Sequence, residues 1–384
     1  MGLRRIPPGA IVAGGVLALA LGLPGCGKFF PPLTSTGGGG SGTGGSSGDY
    51  IYAGNAGTNP YTVAGFSLAN SALSSISGSP FDLGTGIEPT ALAISPNDDY
   101  LYVGSPGGDI YVFTISSSGT LSLGNSGAPV ATGVAPAVLK VDPSGKWLLG
   151  ADYDLGDAYV YQIGSGGTLT AISSSVVTLN ESTPATDLEI TPNEDYVYVS
   201  CGTAGIYTMS FNDNDGAMAQ VNSVLNPKDN GDADYGMAIS PSGDYLFAAE
   251  TGIGAVREFS IASNGTLSEA SGSPYKTATG PYGVLVDSTG SYVYVTNRTE
   301  GTISAFTISS SGALTAISGS PFATGTLPEQ MVEDKSDTYL AVVNAGGNPD
   351  LEIFTIGSGG ALTKLTTATT GTDPTVASSI AATH

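Results

Sequence analysis

The sequence predicts an all-β fold, a seven-bladed β-propeller with four-stranded blades, and three observations carry that prediction. A unit made of a turn, an aromatic residue and a β-rich run recurs seven times, with the aromatic at Tyr50, Tyr100, Trp147, Tyr196, Tyr245, Tyr292 and Tyr339. The spacing is 47 to 50 residues, which suits four short strands and their turns. No segment after residue 49 has a helical period.

The first segment reads as an address. Arg4 and Arg5 precede an apolar run, Ile11 to Leu23, which is short for a membrane span but right for a signal peptide. It ends in Leu23-Pro24-Gly25-Cys26, which resembles a bacterial lipobox. The resemblance implies a signal peptide over residues 1–25 and a lipidated Cys26, whose thiol is the nucleophile that takes the lipid. Residues 26–48 then form a Gly/Ser-rich linker with no core to bury. The expected location is the bacterial cell envelope, with the membrane as a partner through the acylated N-terminus. Gly27, in place of an aspartate after the cysteine, favours the outer membrane over the inner. With Cys26 lipidated, Cys201 has no disulfide partner.

Residues 49–384 are the propeller. Strand A of each blade is a short apolar run, such as Ala91 to Ile94 or Gly283 to Val286. Strand B is the aromatic run, and strand C resembles Asp109 to Ile115 or Thr302 to Ile308. A Ser/Gly turn leads to a weaker strand D, as at Leu314 to Ser318. Val, Ile, Tyr, Phe and Thr dominate A to C, and turn residues bound them. The chain enters at strand B, at Asp49, and ends on a lone strand A over Pro374 to Ile380. The C-terminal strand therefore joins the N-terminal blade and closes the ring without an open sheet edge.

Composition removes several functions. Lys plus Arg number 11 and Asp plus Glu 33, for a net charge of -22, so the general field repels nucleic acid. The one His is His384, too little for a multi-histidine metal site or a Ser-His-Asp group. The reading calls for no metal and no cofactor, and expects a monomer.

Tyr292-Val293-Tyr294-Val295-Thr296-Asn297 contains a YVTN signature. With Asp142-Pro143-Ser144-Gly145-Lys146-Trp147 and the Ser-Gly-Ser-Pro-Phe runs at 77–81 and 318–322, residues 49–384 resemble the YVTN/lactonase seven-bladed propellers. That superfamily includes 6-phosphogluconolactonase and carboxymuconate lactonising enzymes. The resemblance implies roles for Arg298, after Asn297, and for Glu250, where the family places a catalytic glutamate. Asp154-Leu155-Gly156-Asp157 resembles a further family motif, although Ala158 and Tyr159 follow where a basic residue is expected. Two histidines of the family pattern are replaced, by Pro136-Ala137 and by Asp234-Tyr235.

The repeat register offers a site of its own. Five residues after each aromatic stand Asn55, Ser105, Asp152, Cys201, Glu250, Asn297 and Asn344, all polar or reactive. Equivalent positions in a propeller form a ring, here expected to line one mouth of the channel together with Pro136, Tyr235, Pro281 and Tyr282. Turn chemistry accounts for Asn, Asp and Ser at a strand end; Glu250 and Cys201 are less expected there. Glu250 and Arg298, in adjacent blades, would serve as acid–base and carbonyl-polarising groups, or as a structural ion pair. Asp152, Asp154 and Asp157 could hold a cation, while Asn212 to Gly216 fits a hairpin turn better than a calcium loop. The lost histidines and the export signal point first to a binding or scaffold module for a glycan, a lactone or an envelope protein, and second to a lactone hydrolase.

Overall fold

The computed structural model describes residues 48–57, 59–84, 86–131, 133, 135–153, 156–179, 184–225, 234–347, 349–371 and 377–384. The expected signal peptide, Cys26, Asp154 and nearly all of the linker lie outside the described residues. Seven antiparallel sheets follow one another, each in the order A-B-C-D. The A strands contact each other in turn around the axis, and the last, Ala377–Ala382, touches the first, Ala91–Ile94. Ala377–Ala382 pairs antiparallel with Tyr50–Asn55, with Ile51 opposite Ala382 and Ala53 opposite Ile380. The ring is closed as expected. The closing strand runs to Ala382, two residues past the expected Ile380, and Pro374 to Val376 lie outside the described residues. In five blades strand D comes in two pieces, as at Leu314–Ala316 and Phe322–Ala323, both paired to strand C.

The repeated residues explain the repeated structure. Each turn from A to B begins with Asp, Ser or Thr, whose side chain accepts the aromatic residue's backbone N–H. Trp147 N donates to Asp142, Tyr196 N to Thr191 and Tyr245 N to Ser240. The aromatic ring then covers the C–D turn of the next blade: Tyr50 on Gly119, Tyr100 on Gly167, Trp147 on Gly216. Those glycines have positive φ, and an added Cβ would enter the ring. The second tyrosine of the signature locks the same turn: Tyr52, Tyr198 and Tyr294 donate their hydroxyls to Gly119 O, Gly265 O and Gly360 O. Asn212 to Gly216 is one of these hairpin turns, and Trp147 Nε1 donates to Asp213 O within it.

Seven apolar clusters lie between adjacent blades, one per interface. One joins Val138 and Leu149 of blade three to Leu188 and Val199 of blade four; another joins Ile51 of blade one to Val343 of blade seven. Both faces of a blade are therefore buried against neighbours. Only the innermost strand reaches the axis, and this decides where a site can be.

Candidate functional site

The seven residues after strand B do form a ring, but it is a buried collar. Asn55, Ser105, Asp152, Cys201, Glu250, Asn297 and Asn344 are each at most 2% exposed. Strand B is second from the axis, so its side chains point at the adjacent blades rather than into the mouth. Asn297 donates to Thr302 Oγ1 and Ser304 Oγ, both at 3.0 Å. Asn55 donates to Thr62 Oγ1 and Thr370 O, and Asn344 to Pro349 O. These bonds tie the B–C turns. Cys201 is a free thiol inside the apolar cluster of blades three and four, and burial pushes its pKa up to about 12. It is a packing residue. Among the described residues no cluster could hold a metal ion.

Glu250 and Arg298 are not paired. Glu250 is wholly buried and is held by both Nε and Nη2 of Arg257, the latter at 2.9 Å. Arg257 also reaches Glu269 at 2.7 Å. This triad holds strands B, C and D of blade five together. Arg298 instead reaches forward to blade seven, where its Nε lies 3.0 Å from Glu329 Oε1. Its backbone N–H donates to Gly280 O, and its guanidinium lies 5.6 Å from the centre of the Tyr282 ring. Tyr282 stacks on Tyr235 at 5.0 Å between centroids and 28° between planes.

Arg298 thus belongs to an arc built from the second residue of three successive A strands, Tyr235, Tyr282 and Glu329, 47 residues apart, with Asp187 opening the A strand before them. The local reason is a bulge. Strand A slips register against strand B between Asp234 and Met237, between Pro281 and Val284, and between Pro328 and Met331. A bulge re-aims a side chain and often sits beside a site. It turns Tyr235, Tyr282 and Glu329 towards the mouth. Gly236 and Gly283 follow the two tyrosines, and a Cβ on either would collide with the backbone carbonyl of Tyr282 or Glu329 in the next blade. Glycine lets the inner strands approach closely enough to set the arc side by side. Thr296 of the signature fastens it, donating to Glu329 O at 2.6 Å and accepting from Gly283 N at 2.8 Å. Ser200 does the same for Tyr235 O at 2.8 Å.

The electrostatics are those of a confined but open slot. Burial raises the pKa of Glu329 above the usual range, and Arg298 pulls against it. Burial also raises Asp187, whose carboxylate accepts backbone N–H bonds from Leu188 and from Met237 of the next blade. Deeper in the channel Lys140 Nζ lies 2.8 Å from Glu189 Oε1. Burial works against the Lys140 charge, but Glu189 and Asp187 outweigh it and hold the ammonium's pKa above its ordinary value. Protein surrounds this pair, yet 42% of the Lys140 side chain is open to solvent, so the channel is a wet slot and not a sealed core. Burial raises the Tyr282 phenol, which also feels both the Arg298–Glu329 pair and Asp187.

Tyr235 and Tyr282 were legible from the repeat register, and Arg298 from the signature. Glu329, Asp187 and the Lys140–Glu189 pair were missed. The available signal was the register of Glu329 with Tyr282 and Tyr235, at equal spacings of 47.

A closed seven-bladed ring with an arginine–glutamate pair at an open mouth defines a propeller with a polar axial site. Residues 61–378 match the family model described as lactonase, 7-bladed β-propeller. The chain belongs to that family. Solved structures share the fold. A protein from Lactobacillus plantarum is 21% identical, with a TM-score of 0.74, over 88% of this chain and 99% of that one. A periplasmic gluconolactonase from Pseudomonas aeruginosa is 16% identical, with a TM-score of 0.74, over 88% and 99%. A candidate 6-phosphogluconolactonase from Bacteroides uniformis is 16% identical, with a TM-score of 0.72, over 88% and 100%. None of the curated proteins compared matches this chain.

Proposed function

We propose that the protein hydrolyses a lactone at the strand-A mouth, outside the cytoplasm. The observation that carries this is the Arg298–Glu329 pair, partly open at 40% and 8% side-chain exposure, in a chain of the lactonase family. Family membership and this geometry support hydrolysis ahead of the binding or scaffold role that the missing histidines suggested.

The chemistry needs a polarised carbonyl and an activated water. Arg298 uses Nε on Glu329 and has further guanidinium N–H donors for a carbonyl oxygen. Glu329, raised above the usual carboxylate range, takes a proton from water as the oxygen bonds to the lactone carbon. The resulting oxyanion is held by Arg298. The ring C–O bond then breaks, and the same proton passes to the ring oxygen, giving a hydroxy acid. Tyr282 and Tyr235 support the guanidinium and form one wall. Glu250 has no part in this scheme because Arg257 seals it.

A panel of lactones assayed on residues 49–384 tests the reading. Turnover should appear for at least one lactone and fall in acid with a midpoint above that of an ordinary glutamate. Turnover that is unaffected by Glu329→Gln would remove the proposed base, and a glycan or envelope protein retained without any turnover would restore the binding role.

The export signal supports the location. In this proposal residues 1–25 are removed, Cys26 carries the lipid and the linker holds the propeller off the membrane, on the outer membrane more than the inner. Replacing Cys26 by Ser should move the protein from the membrane fraction to the soluble fraction; a protein that stays on the membrane contradicts the anchor.

A further inference from the structure

Resting on the hydrolase reading, we propose that the mouth selects a neutral polyhydroxylated lactone and rejects its phosphate ester. The argument is one of charge already committed. Among the described residues the arc and the channel beneath it hold two cations, Lys140 and Arg298. Each is bound to a carboxylate, at 2.8 Å to Glu189 and at 3.0 Å to Glu329. Asp187 is a third carboxylate, held by backbone N–H donors at 2.7 and 2.8 Å. The five groups sum to one negative charge when ionised, in a chain whose net charge is -22.

A phosphate ester carries about 1.5 to 2 negative charges near neutral pH and is recognised by cations free to meet it. Here it would face committed cations and an uncompensated carboxylate. A neutral sugar ring meets the opposite situation. Its hydroxyls are donors for the carboxylates, and its C–H face suits the Tyr235 ring at the end of the stack, where Tyr282 is already covered by Arg298. The Lys140–Glu189 pair then acts as a charge cancelled on purpose. Glu189 determines specificity by consuming the one ammonium that the described channel holds.

The test measures binding by calorimetry with glucono-1,5-lactam, a neutral analogue that resists hydrolysis, and with its 6-phosphate. The native protein should bind the neutral lactam at least about tenfold tighter. Glu189→Gln frees Lys140 and should shrink that ratio by about tenfold, chiefly by tighter binding of the phosphate. The double variant Glu189→Gln, Lys140→Met should lose this gain. Should Glu189→Gln fail to fold, Lys140→Met alone provides the test, and it should widen the ratio by leaving Glu189 uncompensated. Equal or tighter binding of the phosphate by the native protein overturns the inference. So does binding of neither lactam, or a folded Glu189→Gln protein with an unchanged ratio. Turnover measured alongside keeps the two readings apart: preference for the neutral lactam without any lactone hydrolysis sinks the hydrolase and leaves the specificity, and hydrolysis of both esters alike does the reverse.

Discussion

The two arginines of the propeller make the same kind of bond in opposite settings. Arg257 is 4% exposed and joins a glutamate that is fully buried, inside blade five. Arg298 is 40% exposed and joins Glu329 at the edge of the channel, between blades six and seven. The difference comes from the strand that supplies the carboxylate. Glu250 ends a strand B, whose faces lie against neighbouring blades, and Glu329 lies in the bulge of a strand A, which faces the axis. A buried pair serves the fold, since removing one partner strands a charge in the interior. A half-open pair adds little to stability and leaves donors free for chemistry.

The largest expected effect separates the two pairs by stability. Arg257→Ala should cost about 3 to 5 kcal/mol in urea unfolding, because Glu250 would be left buried and unpaired. Arg298→Ala should cost clearly less, because Arg298 is itself 40% exposed and water can enter the gap it leaves beside Glu329. A stable Arg257→Ala protein would break the comparison.

The next effect is on rate. Glu329→Gln should lower kcat by about 100-fold with its unfolding midpoint nearly unchanged, the range expected for loss of a general base. Tyr282→Leu sharpens the point with a smaller effect. Arg298 loses the ring beneath it, and KM should rise several-fold, as about 0.5 to 2 kcal/mol of cation–π support disappears. Tyr282→Phe keeps the ring and should retain most of the native KM.

The smallest effect concerns pH. Burial, then Asp334, raises Asp49 from 3.8 to about 7, and burial raises Glu333 from 4.5 to about 7. Both stand away from the proposed mouth, in elements of the A–B turn end. A carboxyl raised on folding binds its proton more tightly in the native state. Its stabilisation is complete below the unfolded value and is lost as pH rises through about 7. The melting temperature should therefore fall between pH 5 and pH 8, and Asp49→Asn should flatten part of that slope. A melting temperature that rises over this interval contradicts the assignment.

The fold was legible because its repeated residues have local jobs. Tyr292 and Tyr294 cover one turn, and Asp287 accepts the N–H of Tyr292. Such jobs recur in nearly every blade, so the period is visible without any partner in view. The closing strand was legible from phase alone. The site was only half legible. The polar series from Asn55 to Asn344 was real, but a sequence period does not show which way a strand faces. The bulges at Tyr235, Tyr282 and Glu329 break the alternation that would have marked them as mouth residues. Glu250 stood out through the family resemblance and its place in that series: a glutamate at a strand end looks like a site until the neighbouring blade is placed against it.

The most direct test measures lactone hydrolysis and thermal melting on the same preparation of Arg298→Ala. The account predicts a native protein that turns over a lactone, and a variant at least about 100-fold slower that remains folded. A variant that keeps native turnover, or one that loses turnover only because it unfolds, would contradict the claim that the open arginine–glutamate pair is the chemical centre.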